Sequence, residues 1–176
     1  MANIWYTSDH HFGHHNIIKY CNRYKWVQTV EEMDALLIQR WNEVVGPHDT
    51  VWHLGDVFFK NYEATSKLKG RKNLIVGNHD YKHKDFLRNN NWNVQSEAIY
   101  IDHENKLVMS HYPILDWPHK FQDYIHLHGH SNGNKEGYDI NAVDVGVDCW
   151  DLYPVSLSQI RSRIAHRKAK QIKESL

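Results

Sequence analysis

The sequence predicts a mixed α/β or α+β domain, and three observations carry that expectation. Short apolar runs suited to strands recur along the chain, the first three separated by helical segments and the later ones close together. One segment, Val30 to Val45, repeats apolar residues at helical spacing. No internal repeat, low-complexity stretch or linker breaks the 176 residues, a length that fits one domain with room for a core.

Taken in order, the runs Asn3–Thr7, Thr50–Leu54, Asn73–Val76, Glu97–Asp102, Lys106–Ser110, Tyr124–His128 and Ala142–Val147 read as strands, each bounded by polar or Gly-rich residues. The clearest helix lies between the first two. Val30, Met33, Leu37, Trp41 and Val44 form one apolar face, Thr29 and Glu32 form a capping box, and Gly46-Pro47 ends the helix. A shorter helix is expected from Asn61 to Leu68, stopped by Gly70. Asp102-His103-Glu104-Asn105 reads as the turn of a hairpin. A last helix starts at Leu157, runs through Ile160 and Ile164, and loses its apolar stripe after Ala165.

Composition narrows the function classes. With 21 basic and 21 acidic residues the formal net charge is zero, which argues against coating nucleic acid by bulk electrostatics. The charge is unevenly spread. Arg161, Arg163, Arg167, Lys168, Lys170 and Lys173 face only Glu174 at about 156–176, so the remainder is acidic. A solvated helix end is favoured for this tail over a contact for a polyanion. Two cysteines, Cys21 and Cys149, with no CxxC, give neither a disulfide framework nor a thiolate zinc site. The first residues lack the pattern of a signal peptide, and no stretch nears the ~18 apolar residues of a membrane span. A cytoplasmic protein with no membrane partner is expected. The 15 histidines are the anomaly, because imidazole near neutral pH binds metals and moves protons.

Histidine and its partners gather at strand ends. Five strands are followed at once by Ser8-Asp9-His10-His11, Gly55-Asp56, Gly77-Asn78-His79-Asp80, His111-Tyr112-Pro113 and Gly129-His130-Ser131-Asn132. Any one of these loops is unremarkable in a His-rich chain. Five together would deliver carboxylate, imidazole and amide oxygen to one crevice, since the carboxyl ends of strands converge there. The set contains no thiolate and suits manganese, iron, zinc or nickel, with a carboxylate to bridge two neighbouring ions.

The series Asp9-x-His11, Gly55-Asp56, Gly77-Asn78-His79-Asp80, Ser110-His111 and Gly129-His130-Ser131-Asn132 resembles the motifs of the calcineurin-like metallophosphoesterases. It is most similar to their compact single-domain bacterial and phage members. Asp144-Val145-Gly146-Val147-Asp148 followed by Pro154-Val155-Ser156-Leu157 is similar to the closing strand and helix of that subgroup. The resemblance implies a four-layer αββα sandwich of two mixed sheets flanked by helices. It implies one metallophosphoesterase domain over residues 1–176, with a basic C-terminal helix or tail. It also implies a binuclear, metal-dependent phosphohydrolase, a phosphodiesterase or phosphomonoesterase, in which a metal-bridging hydroxide attacks phosphorus. Phosphodiesters are favoured because 176 residues show no obvious inserted cap, and an open crevice would admit a nucleotide or an oligonucleotide end.

By position, the resemblance assigns Asp9, His11 and Asn132 to a first metal and Asn78, His111 and His130 to a second. Asp56 is the bridge, and His79 is the catalytic acid or charge stabiliser. The two divalent ions are expected to be manganese, with iron, zinc or nickel as alternatives. The chain departs from the family pattern at Asn132, where the family has His. His128 offers an alternative ligand, because His128-Gly129-His130 is itself an H-x-H. Asn132 is favoured because Gly129 aligns with the Gly that precedes the family's first His. His14, Asn78 and His79 are candidate substrate contacts, and His15 is as readily a surface residue. His10 is expected to point away from His11, His53 to be a satisfied core residue, and His126 to be wall rather than ligand. Asp80 either orients an imidazole or bonds to backbone. Trp117 and Trp150 either flank the site or pack. A scaffold of the same fold that has lost catalysis is the alternative function. A mononuclear zinc hydrolase ranks last, for want of a HExxH helix.

Overall fold

β1 (Ile4–Thr7) sends alternate side chains to opposite faces, and this alternation organises the molecule. The computed structural model describes residues 2–134 and 138–174. Helix α1 (Ile17–Tyr20) and the long helix α2 (Val30–Val44) follow β1. Then come β2 (Thr50–His53), β3 (Arg71–Leu74), α3 (Lys84–Asn89) and β4 (Trp92–Val94). The second half holds β5 (Ile99–Asp102), β6 (Leu107–Ser110), β7 (Ile125–His128), β8 (Ala142–Asp144), β9 (Val155–Ser156) and the final helix α4 (Leu157–Glu174).

The strands form two mixed sheets. One has the order β4-β3-β2-β1-β9, parallel except for β9, which runs antiparallel beside β1. The other has the order β5-β6-β7-β8, with β5 antiparallel to β6 and the rest parallel. Val51 and Leu74 of the first sheet pack under Met33, Leu37 and Trp41 of α2. Tyr6, Leu54 and Ile75 face Leu107, Met109, Leu127 and Val143 of the second sheet, with Ile160 and Ile164 of α4 joining them. Val108 and Ala142 face outward beneath Trp117 and Tyr124, from a segment that includes a 3-10 helix at Lys120–Gln122. Two mixed sheets flanked by helices are the expected class.

Local chemistry explains most boundaries. The Thr29–Glu32 capping box is formed: the Glu32 amide donates to Thr29 Oγ1 at 3.2 Å, and Glu32 Oε2 accepts the Thr29 amide. The β5–β6 hairpin turns on Asp102, whose carboxylate accepts the Asn105 amide at 3.0 Å. The segment expected as a short helix from Asn61 to Leu68 is a 3-10 helix over Glu63–Lys67. Strands β4 and β9 and helices α1 and α3 were not expected as separate elements, being too short to show a period. Of the tail arginines, Arg161, Arg163 and Arg167 donate to the carbonyls of Asn105, Cys149 and Ala142. Arg163 and Arg167 are half-buried, so the favoured solvated-end reading describes Arg161 and the lysines. Residues 175 and 176 of that tail lie outside the described residues. Cys21 and Cys149 form no disulfide.

Candidate metal centre

Parallel strands aim their carboxyl ends the same way, and the loops after β1, β2, β3, β6 and β7 meet there. The β1 and β2 loops run side by side: the Asp9 amide donates to the Gly55 carbonyl at 3.0 Å and the His11 amide to the Asp56 carbonyl at 3.1 Å. Gly55 has φ +99°, and a Cβ there would lie 2.5 Å from His111 Nδ1. A Cβ at Gly129 would overlap Ser8 Oγ and Asp9 Oδ2. Only glycine permits this approach of the strand ends. Asp9 (φ 59°), His11 (54°), Asp56 (59°), His130 (64°) and Asn132 (46°) all hold left-handed backbone. Such conformations cost on the order of 1 kcal/mol each and cluster where function requires a particular side-chain direction.

Asp56 sits at the middle. Its Oδ2 lies 3.8 Å from His11 Nε2 and 3.9 Å from His79 Nε2, and its Oδ1 lies 3.6 Å from His111 Nε2. Among the described residues, two groups of side chains can hold a metal ion: His11, Asp56 and His79, and Asp56, His111 and His130. Asp56 belongs to both. Asp9 adds a carboxylate 3.8 Å from His11 Nε2, and Asn78 Oδ1 lies 3.1 Å from His111 Nε2. The His130 amide donates to both Asp9 oxygens, at 3.1 and 2.9 Å, tying the β7 loop to the β1 loop.

The ring tautomers can be read from the neighbours. His111 Nδ1 lies 2.7 Å from the Leu54 carbonyl oxygen, so Nδ1 carries the proton and leaves the Nε2 lone pair toward Asp56. The Ile17 amide donates to His14 Nδ1 at 3.1 Å, so the neutral His14 ring carries its proton on Nε2. His14 packs 4.4 Å from Phe59 and edge-on to His11 and His79, at 5.8 and 6.3 Å between ring centres.

Burial sets the electrostatics. It pushes the Asp9 carboxyl well above its usual range, with Asp144 and Asp56 adding like-charge repulsion. It raises Asp56 as well, against the opposing pull of the His79 amide and nearby imidazoles. It holds His11 well below the usual histidine value and His111 down at about 4. Neutral imidazoles are the state that ligates cations, and buried carboxyls pushed upward by one another are the groups whose ionised form a nearby cation would stabilise. The residues present therefore fit divalent metal. So does Asn132, whose Oδ1 is buried without a hydrogen-bond partner while its Nδ2 donates to the His130 carbonyl.

Other expected residues fall elsewhere. His128 rests its ring against His126 and Tyr138, on the face of β7 opposite core residue Leu127. His10 turns into the core against Phe12, Trp41 and His53. His53 is satisfied there, accepting the Gly55 amide at Nδ1 and meeting His10 Nδ1 at 2.9 Å. Asp80 bonds to backbone, accepting the amides of Asp56, Val57 and Gly77 at 2.7, 2.9 and 3.0 Å. Trp117 stacks on His126 and packs.

Two braces went unread in the sequence. Arg23 is buried and bidentate to Asp148 at 2.8 Å, and it donates to the carbonyls of Asp9 and His10 at 2.7 and 2.8 Å. Asp144 accepts Ser131 Oγ and the Gly133 and Gly146 amides, fixing the loop that carries His130 and Asn132. Arg23 and Asp148 stand 125 positions apart, and no local pattern announces the pair.

No protein-family model matches the chain. The uncharacterized protein MJ1445 of Methanocaldococcus jannaschii is 36% identical over 171 residues, covering 91% of this chain and 90% of that protein. The chain belongs to the MJ1445 family. The Gene 66 protein of Mycobacterium phage D29 is 31% identical over 191 residues, covering 88% of this chain and 93% of its own. Among solved structures, protein AQ665 of unknown function from Aquifex aeolicus has a TM-score of 0.70 at 29% identity, over 92% of this chain and 99% of that one. Nuclease MPE of Pseudomonas putida gives a TM-score of 0.48 at 19% identity, over 72% of this chain and 60% of its own.

Proposed function

We propose that this protein is a calcineurin-like phosphoesterase that uses two divalent metal ions, manganese first among them, to hydrolyse phosphoesters, with diesters preferred. The observation that carries this reading is Asp56, one carboxylate common to two ligand groups at the ends of parallel strands. Asp9, His11 and Asn132 would complete one group, and Asn78, His111 and His130 the other. When bound, the ions supply charge neutralisation for the phosphoryl oxygens and an activated water.

The chain's own residues supply the rest. His79 is partly exposed at the mouth, with its ring 5.3 Å from that of His11, where it can protonate a leaving oxygen. His14 presents its Nε2 proton beside it as a donor to a phosphoryl oxygen. The Asp80 carboxylate holds the turn that carries Asn78 and His79, and Arg23 holds the carbonyls that precede His11. The chain acts as one cytoplasmic domain in this reading. Among the described residues, no helix is long and apolar enough to cross a membrane.

The test is hydrolysis of bis(p-nitrophenyl) phosphate and p-nitrophenyl phosphate, with metal analysis of the purified protein. Chelation should abolish turnover and Mn2+ restore it, and His79→Ala should lower kcat by roughly 100-fold or more. A protein that retains no metal and shows no turnover sensitive to His79→Ala would overturn the reading in favour of a non-catalytic scaffold.

A further inference from the structure

A groove of about 820 Å³ opens from Asn78 and His79 and runs away from the metal ligands. Its size falls in the roughly 300–1,000 Å³ range of sites that enclose a sizeable ligand. Its lining joins two kinds of side chain. Phe59, Tyr81 and Tyr112 present rings that are 39%, 68% and 50% exposed. Lys82, Lys84 and Arg88 supply cations, set against the Glu97 carboxylate. Lys84 Nζ lies 4.1 Å from the Tyr81 ring centre, so ring and cation present together. Arg88 bonds Asp85 at 2.9 Å, but Asp85 is open to solvent, and such a surface pair yields readily to a phosphate.

Exposed flat rings beside cations are costly to maintain for folding and well suited to unpaired bases and their phosphates. Phe59 links the two regions, with its ring 5.6 Å from that of His79 and 4.4 Å from that of His14. The groove shares Asn78 and His79 with the candidate metal centre, so it is open to the nucleotide next to a phosphoester bound there. We propose that the groove is a subsite for single-stranded nucleic acid, with a base stacked on Tyr81 or Phe59 and the following phosphate held by Lys82, Lys84 and Arg88. The inference rests on the phosphoesterase reading for which bond is cut, though not for whether the strand binds. A duplex keeps its bases stacked on one another and cannot offer them to these rings. Zero net charge is no obstacle, because the cations are local to one wall.

Binding is measured by fluorescence anisotropy with a labelled phosphorothioate hexanucleotide, single-stranded and as its duplex. Cleavage is measured with the ordinary hexanucleotide and bis(p-nitrophenyl) phosphate. Tyr81→Ala should weaken single-strand binding roughly tenfold. The pair Lys82→Gln/Lys84→Gln should flatten the salt dependence, by about 0.7 in log–log slope for each phosphate no longer neutralised. In both variants the ratio of oligonucleotide to small-diester hydrolysis should fall at least tenfold. Lys168→Gln, on α4, is the control and should bind as wild type.

Wild-type failure to bind the single strand, equal binding of the duplex, or groove variants that bind as wild type would each overturn the subsite. Persisting hydrolysis of the small diester would then leave the phosphoesterase reading intact. Groove-dependent binding with no hydrolysis of any phosphoester would do the opposite: the subsite stands and the phosphoesterase reading falls. Melting temperatures within about 2 °C of wild type, expected for such exposed positions, exclude misfolding as the cause.

Discussion

Asn132 holds its amide oxygen buried and unbonded, a state that costs roughly 1–3 kcal/mol unless a ligand satisfies it. His128 sits nearby in sequence, but its ring is engaged with His126 and Tyr138 on the far face of β7. Asn132→Ala should therefore lower metal affinity about tenfold or more, whereas His128→Ala should keep its metal and melt at lower temperature. Metal content after dialysis, read beside thermal melting, checks both, and the reverse pattern would assign His128 as ligand. At this scale the convergence of the candidate ligands was legible in the sequence because each follows a strand within a few residues. The core place of His53 was legible too, from its position inside a strand; His10 does turn away from the site, but between two left-handed residues rather than along an extended chain. The braces were not. Arg23 acts through main-chain carbonyls, which carry no sequence signal, and its carboxylate partner lies far along the chain.

Helix α2 does more than cover a sheet. Its Asp34 reaches out to accept the Gly13 amide at 3.0 Å and Asn61 Nδ2 at 2.7 Å, so it buttresses the loop that follows His11. The Thr29–Glu32 box fixes where this helix begins. Thr29→Ala should cost about 1 kcal/mol, seen as a lower urea midpoint with an unchanged m-value. An unchanged midpoint would mean that the helix start is set by packing alone. The helix and the longer strands were legible because period and capping agree over many residues. Strands β4 and β9 were not, because each has only two or three residues and gains its place from a neighbour already in the sheet. The 3-10 helix at Glu63–Lys67 shows the same limit, since composition suits either helix and only the surroundings choose.

Across the whole molecule, acid acts through groups that sit far from one another. Burial holds His53 down at about 3 and His126 at about 4, so both stay neutral in the fold and gain protons on unfolding below about 6.5. Their contribution to stability is full above pH 6.5 and falls as the pH drops toward those values. Asp49 acts in a lower window. Its carboxylate accepts the Asn3 and Gly46 amides and the Trp5 indole, and these bonds hold it at about 2. Its contribution is full above about pH 4 and is lost as the pH falls toward 2. Urea midpoints should thus decline from pH 7 to pH 4.5. In His53→Gln the fall of the unfolding free energy with pH should be shallower by up to about 1.4 kcal/mol per pH unit. An identical slope in variant and wild type would remove His53 from this account.

The place of β1 has a consequence for synthesis. β1 lies between β2 and β9, so it needs a partner from residues 155–156, made long after it. Until that segment leaves the ribosome, one margin of β1 stays open, with unpaired amides and carbonyls able to capture a strand from another nascent chain. Arg23 waits equally long for Asp148. The nascent chain can thus assemble a sheet early, yet β1 gains its second partner and the loop of Asp9 and His10 its Arg23–Asp148 brace only once residues 148–156 have emerged.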